Sequence, residues 1–498
     1  MAEIEASQEH LDPTSEITLE TVKARAVKGV VVLTGRTFFL SLVALVATGF
    51  LTVFLEPSEF GVFWIVSAVV NFLAYFSDIG LAAALIQKKE RPSEEDLRTT
   101  FTIQQALVFV ILALILLGSG AISRIYSLTP DGRLLLFALA FSLFLSSLKT
   151  IPSVLMERSL RFEKLVIPQI LENIVYNGVA VLLAWKGFGI NSFTYAVLAR
   201  GVVGLVAVYF LQPWVPRLAF SKGSLKNLLS FGLPYQANTL IATLKDDGMT
   251  AVLGGILGTG GIGLLGWAQK WAYTPLRLFM DHVLKVTFPA FSRMQEDKGQ
   301  LERAVTRSIF FVCFLVFPSV VGLLALAPTL VAIIPRYSKW EPALIPLALV
   351  SINTVFAAST TQLTNLLNAI GKIKTTFKLM IMWAVLTWLL VPALAIRFGV
   401  GGAALGYALV GVSSVVAIYV ARRHVHFSLW ESVFKPAIST VVMGLVLFFT
   451  RRILPISLTS VILMVFLGTA TYFAVSYLLI GRSLVDDVRK SIWNLKEK

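Results

Sequence analysis

Apolar stretches of about 20 residues, the length an α-helix needs to cross a bilayer core, follow one another almost without a break from residue 29 to residue 480. Hydrocarbon offers no partner to backbone N–H and C=O groups, so such a chain must form helices or a closed barrel, and runs this long select helices. The spans are expected at about 29–54, 60–87, 99–121, 133–156, 165–185, 191–212, 228–257, 262–288, 309–333, 343–369, 375–396, 400–421, 432–450 and 457–480. This is the pattern of an all-α integral membrane protein with about 14 transmembrane helices. A hydrophobic fraction of 56%, a charged fraction of 14% and a mean hydropathy of +0.79 agree with that class. The opening residues, MAEIEASQEHLDPTSE, contain no basic segment leading into an apolar core and a small-residue cleavage site, so the first span is expected to direct insertion.

The net charge of +15 invites a nucleic-acid reading, but its placement argues otherwise. Of the 43 lysines and arginines, those in the loops between spans fall overwhelmingly on one side, and only Arg124, Arg133, Lys186, Arg336, Lys339, Arg397, Arg451 and Arg452 fall on the other. Cytoplasmic loops carry such an excess, so both termini are expected in the cytoplasm and no nucleic-acid partner is expected. One cysteine, Cys313, excludes a disulfide within the chain, and four histidines make a poor metal set. No metal and no cofactor are expected.

The chain also resembles itself. Leu55-Glu-Pro-Ser-Glu-Phe-Gly61 is echoed by Leu257-Gly-Thr-Gly-Gly-Ile-Gly263 at an offset of 202 (257 minus 55), and Phe188-Gly-Ile190 by Phe398-Gly-Val400 at 210 (398 minus 188). Such offsets predict two six-helix bundles, 29–212 and 228–421, joined by a cytoplasmic linker at 213–227. Six is even, so the copies enter from the same side and form a parallel repeat about a pseudo-two-fold axis along the membrane normal. Two additional helices at 432–480 follow, with a cytoplasmic segment 1–28 before the bundles and a tail 481–498 after them. In the tail, Leu484 to Trp493 has an apolar face flanked by Arg489 and Lys490 and could lie on the membrane surface.

Charges inside spans are costly, roughly 3 kcal/mol each on insertion scales, and are kept where they face a bundle interior or a watery cavity. Lys270, Arg277, Asp281 and Lys285 recur at i, i+7, i+11 and i+15, one stripe of a helix. Arg36 and Asp78 lie at similar depth and are candidates for an ion pair. Lys149, Glu172, Arg200, Lys245, Asp246 and Asp247 complete the set, in which cations outnumber anions. A charged, mostly cationic lumen implies an anionic cargo. The competing reading pairs each charge with a neighbour, as i,i+4 spacing allows for Arg277 with Asp281 and Asp281 with Lys285.

Glu59-Phe-Gly-Val-Phe-Trp64, then Asp78-Ile-Gly-Leu-Ala-Ala-Ala-Leu-Ile-Gln87 with Lys88-Lys89 and Ser93-Glu-Glu-Asp-Leu97, resembles the hallmark region of the Wzx-type lipopolysaccharide and exopolysaccharide flippases. These form a branch of the multidrug/oligosaccharidyl-lipid/polysaccharide exporter superfamily. Pro275-Leu-Arg-Leu through Phe288-Pro-Ala-Phe-Ser-Arg293 is a second match, and the resemblance reaches roughly through the ninth span. It implies a V-shaped pair of bundles with two extra helices. It also implies export of a polyprenyl-pyrophosphate-linked oligosaccharide to the outer leaflet by alternating access, beside a polysaccharide polymerase and glycosyltransferases. The location implied is the cytoplasmic (inner) membrane. A diphosphate fits an arginine fork, so Arg36, Arg277 and Arg200 are the candidate headgroup contacts. Asp78, Lys149, Glu172, Lys270, Asp281 and Lys285 complete the candidate substrate-binding set of a central cavity.

No G-x-x-x-x-G-K-[ST] motif is present, so the chain is expected not to hydrolyse ATP. Asp78, Asp246, Asp247 and Asp281 are candidates for coupling to H+ or Na+. Pro234, Pro275 and Pro318 are candidate flexible points. A multidrug-type, ion-coupled antiporter of drugs or metabolites is the alternative, but it calls for an acid-rich cavity. A membrane glycosyltransferase would need catalytic acids on a sizeable outer loop; no such loop is expected here, and the chain is not expected to be an enzyme.

Overall fold

The computed structural model describes residues 19–481, with the side chains at 19–34, 235, 237–239, 241–242, 281–282 and 285 outside the description. The tail segment Leu484 to Trp493 therefore lies outside the described residues. Sixteen α-helices follow in order: α1 (Leu19–Phe54), α2 (Pro57–Ala74), α3 (Leu81–Gln87), α4 (Glu94–Ile125), α5 (Pro130–Leu148), α6 (Thr150–Arg158), α7 (Phe162–Trp185), α8 (Asn191–Leu211), α9 (Lys222–Thr243), α10 (Met249–Met294), α11 (Lys298–Ile333), α12 (Leu344–Ala369), α13 (Ile373–Val412), α14 (Val415–Arg422), α15 (Lys435–Ile453) and α16 (Leu458–Ile480). No strand occurs among the described residues. Large apolar side chains face outward, Phe210 85% exposed and Leu117 83%, which only a hydrocarbon surround tolerates. The protein is a multi-pass membrane protein.

Twelve described helical stretches, not fourteen, are long and apolar enough to cross a bilayer. Two of them are over-long, Leu244–Met280 at 37 residues and Ile373–Arg422 at 50. The second doubles back. At Gly399 the backbone leaves helical geometry (φ 59°, ψ −141°), and a Cβ on Gly406 would lie 2.8 Å from Val391 Cα. Along one straight helix those residues would stand about 22 Å apart at 1.5 Å per residue. Gly189, its counterpart in the sequence echo, turns the chain between α7 and α8 with φ 54°.

The chain separates into two compact units, Met1–Gly263 and Leu264–Lys498. In the first, α7 packs on α1 and α8, α5 on α2, α4 and α8, and α9 on α3 and α4. The echoed segments meet inside this unit: a Cβ on Gly61 would lie 1.7 Å from Thr259 O, and one on Gly263 1.7 Å from Pro57 O. Under the 202-residue offset 57 corresponds to 259 and 61 to 263, so the contact is reciprocal, as a local two-fold relation between the segments requires. In the second unit α11 is central, packed by α12, α15 and α16 around Val305, Ile309, Val312, Val316 and Val320.

The span expected at 60–87 is broken. A short 3-10 turn (Tyr75–Ser77) ends α2, and Ile79 (φ 46°) and Gly80 (φ 80°) then take the left-handed region before α3 begins. The Asp78 carboxylate accepts the Ala82 N–H, 3.1 Å to Oδ1 and 3.2 Å to Oδ2, capping the new helix. Gly80 backs onto Gly232 of α9: a Cβ at 80 would sit 2.2 Å from Gly232 O. Tyr75 Oη donates to Gln236 O and Gln236 Nε2 to Tyr75 O, fastening the same crossing.

The loop after α3 is held by Arg158, whose Nη1 donates to the carbonyls of Leu85, Ile86 (3.0 Å) and Lys88 (2.7 Å) and whose Nη2 donates to Glu90 O (3.2 Å). Lys88 Nζ stands 2.6 Å from Asp96, which completes a capping box with Ser93 at the start of α4. Arg158→Ala is expected to cost about 2–4 kcal/mol, since hydrogen bonds to charged groups are worth roughly 1.5–3 kcal/mol each and the freed carbonyls partly regain water. Thermal unfolding in detergent measures it, and Arg158→Lys should not rescue, because a point-like ammonium cannot span four carbonyls as a guanidinium does.

Candidate functional site

Gln169, Glu172 and Tyr176 fall at i, i+3 and i+7 of α7, one stripe of the helix. Three neighbours bring cations to it. Arg36 of α1 donates through Nη1 to Gln169 Oε1. Lys149, at the junction of α5 and α6, places Nζ 2.5 Å from Glu172 Oε1, with both side chains largely buried (13% and 14% exposed). Arg200 of α8 brings Nε to 3.6 Å from Glu172 Oε2 and its guanidinium carbon to 5.9 Å from the centre of the Tyr176 ring. Gly204 makes room for the carboxylate: a Cβ there would lie 1.8 Å from Glu172 Oε1.

One carboxylate thus answers two cations, with a third cation one helical turn away. Arg36 keeps a buried Nε–H without a hydrogen-bond partner. The sequence pairing of Arg36 with Asp78 does not occur: Arg36 turns to Gln169, and Asp78 is spent on the cap of α3 because the helix break leaves the Ala82 N–H in need of an acceptor. Asn177 bonds within its own helix, to Asn173 O at 2.8 Å. Gln169 and Tyr176 seat Arg36 and Arg200 because of how the helices pack, which spacing along α7 does not reveal.

Asp246 and Asp247 lie on a π-helical turn, Leu244–Gly248, between α9 and α10. Lys245 Nζ stands 3.0 Å from Asp246 Oδ1. Asp247 is half-buried, with Asn71 of α2 as its hydrogen-bond partner. The two acids are therefore not equivalent. Among the described residues no group of three or more His, Cys, Asp or Glu is placed to hold a metal ion.

In the second unit α10 carries Lys270 and Arg277 close enough for their charges to repel. Ala272, Met280 and Thr287 tie the helix to its neighbours: Thr354 Oγ1 donates to Ala272 O (3.1 Å), and the buried Gln362 accepts from Thr287 (3.2 Å) and Ser308 (3.0 Å) and donates to Met280 Sδ (3.3 Å). Arg277 is exposed, and no described carboxylate pairs with it or with Lys270. The side chains of Asp281 and Lys285, the rest of the expected stripe, lie outside the described residues. Trp267 stacks on Trp340 (5.5 Å, 15°) and donates to Tyr337 Oη (3.3 Å), fixing one end of this part of α10.

Residues 50–345 match the family model described as polysaccharide biosynthesis protein. The chain is 24% identical over 448 residues to the succinoglycan biosynthesis transport protein ExoT of Rhizobium meliloti (strain 1021), covering 86% of this chain and 88% of that one. It is 25% identical over 372 residues to the lipopolysaccharide biosynthesis protein WzxC of Escherichia coli (strain K12), covering 73% and 74%. Its fold is similar to that of the lipid II flippase MurJ in an inward closed conformation, with a TM-score of 0.75 at 15% identity over 91% of this chain and 100% of that one. With more than half of its length under one family model, this chain belongs to the polysaccharide biosynthesis protein family.

Proposed function

We propose that the protein carries a polyprenyl-pyrophosphate-linked oligosaccharide from the cytoplasmic to the outer leaflet by alternating access, without catalysing a reaction on it. The observation that carries this reading is the surplus of cationic groups in membrane-spanning helices: the free Nε–H of Arg36, the half-exposed Arg200, and the Lys270–Arg277 pair. A diphosphate supplies the missing counter-charge, and a guanidinium fork matches its oxygens. The relatives named for succinoglycan transport and lipopolysaccharide biosynthesis, and the fold of a lipid II flippase, support a cargo of this class.

In this reading the chain crosses the membrane fourteen times, with Gly258 and Gly399 each separating two crossings within an over-long stretch, and both termini lie in the cytoplasm of a cell with the protein in its inner membrane. A polymerase and glycosyltransferases act on the same cargo. Asp247, held by Asn71 on a π-helical turn, is the first candidate for coupling to H+ or Na+, because π-bulges recur at functional sites.

Arg277→Ala tests the reading. Arg277 is exposed and has no described partner, so its loss should leave the protein folded in the membrane. Export of surface polysaccharide in a complemented flippase-deficient strain should fall at least about tenfold, since a charge-assisted bond to phosphate is worth roughly 1.5–3 kcal/mol. Arg36→Ala should do the same. Normal export by both variants, at normal abundance, would remove the basis of the proposal.

A further inference from the structure

The outer ends of α11, α15 and α16 enclose a cavity of about 350 Å³ that the transport reading does not use. Arg451 and Arg452 line it from the last turn of α15, with Thr329 of α11 and Ser460 of α16 as further polar groups, and no Asp or Glu is among its lining residues. Arg452 lies over the ring of Phe448, 4.5 Å from the centroid, which fixes the plane of its guanidinium. Ser457 caps α16 through the Ser460 N–H at 3.2 Å, so the positive end of that helix also borders the cavity.

A helix C-terminus attracts one cation. It does not account for two adjacent arginines lining one cavity with no described carboxylate partner. The distribution of charge along the sequence puts both on the side where basic residues are scarce, so a local use must hold them there. Beside the cavity Ile453 is 81% exposed, Ile456 69% and Leu458 63%. These side chains are compatible only with acyl chains, so the cavity opens where lipid headgroups meet hydrocarbon.

We propose that this cavity binds the phosphodiester headgroup of an anionic phospholipid. Arg451 and Arg452 donate to its phosphate oxygens, Ser460 and Thr329 bond the polar headgroup, and the acyl chains run along Ile453, Ile456 and Leu458. The site is independent of the cargo and seats a resident lipid against the C-terminal helix pair.

Native mass spectrometry of the full chain in detergent, titrated with phosphatidylglycerol or phosphatidylcholine, tests this. Phosphatidylglycerol should bind preferentially, and R451Q/R452Q should weaken it by about fivefold per arginine, the ratio that corresponds to ~1 kcal/mol per basic residue. Phosphatidylcholine binding and the unfolding temperature should not change. Equal phosphatidylglycerol binding by the wild type and R451Q/R452Q would overturn the proposal. Displacement by inorganic phosphate with no preference for phosphatidylglycerol would assign the cavity to a free anion and overturn it as well.

Discussion

Gly80→Ala should remove most of the folded protein from the membrane. The backbone at Gly80 has φ 80°, and the added Cβ would fall 2.2 Å from Gly232 O, with Gly232 C and Cα at 2.6 and 2.7 Å. Those atoms are backbone and cannot swing aside as a side chain end can, so either α3 or α9 must move. A left-handed non-glycine residue costs roughly 1–2 kcal/mol, and overpacking typically adds 1–3 kcal/mol. The total of about 2–5 kcal/mol is a large part of the 5–15 kcal/mol that keeps a typical domain folded. Gly187 supplies the control, because its φ of 84° is close to that of Gly80 but nothing lies within 4 Å of its Cβ position. Gly187→Ala should therefore lose only the conformational part. Unfolding temperature in detergent and abundance in the membrane compare the two directly. If Gly80→Ala matches Gly187→Ala in both, the crossing with Gly232 is not what makes the glycine necessary.

The same crossing marks where hydropathy stops being informative. Spans were legible because lipid admits few backbone structures, so a run of apolar residues reads directly as a helix. Breaks inside a span carry no such signature. Asp78-Ile-Gly80 looks like the inner end of one long helix, and only the positions of Ala82 and Gly232 reveal that the acid caps a second helix after a left-handed step. The prolines singled out as candidate flexible points, Pro234, Pro275 and Pro318, all lie inside helices. The departures from helical geometry come at Gly258, at Gly399 and at residues 79 and 80. A glycine takes a positive φ without steric cost and can redirect the chain there.

The charged residues were legible as a set and not as pairs. Spacing along one helix predicts neighbours on that helix, which is how Lys270 and Arg277 were grouped, and the two do feel each other's charge. Partners on different helices depend on packing. Arg36 met Gln169 and not Asp78, and Glu172 drew Lys149 from one helix junction and Arg200 from another helix. The part played by Arg158 was not legible, because four bonds to backbone carbonyls leave no mark in the side-chain pattern of residues 85 to 90.

Glu172→Gln is expected to be the most damaging change at the cationic cluster. Lys149 is 13% exposed and its ammonium depends on this carboxylate. Removing one partner of a buried pair leaves an uncompensated charge, at about 3–5 kcal/mol. Arg200 is 54% exposed, so its loss of a partner adds little. Gly204→Ala should act through the same group from the opposite side, because its Cβ would occupy the place of Glu172 Oε1. The double variant Lys149→Met/Glu172→Gln separates architecture from transport. With the buried cation gone, its unfolding temperature should return close to the wild-type value. Export should still be lost, by at least about tenfold, because a bound phosphate would miss Lys149 and find Arg200 unanchored. A double variant that is stable and also exports normally would make the Lys149–Glu172 pair a helix fastener and nothing more, and would remove both residues from the contacts proposed for the phosphate.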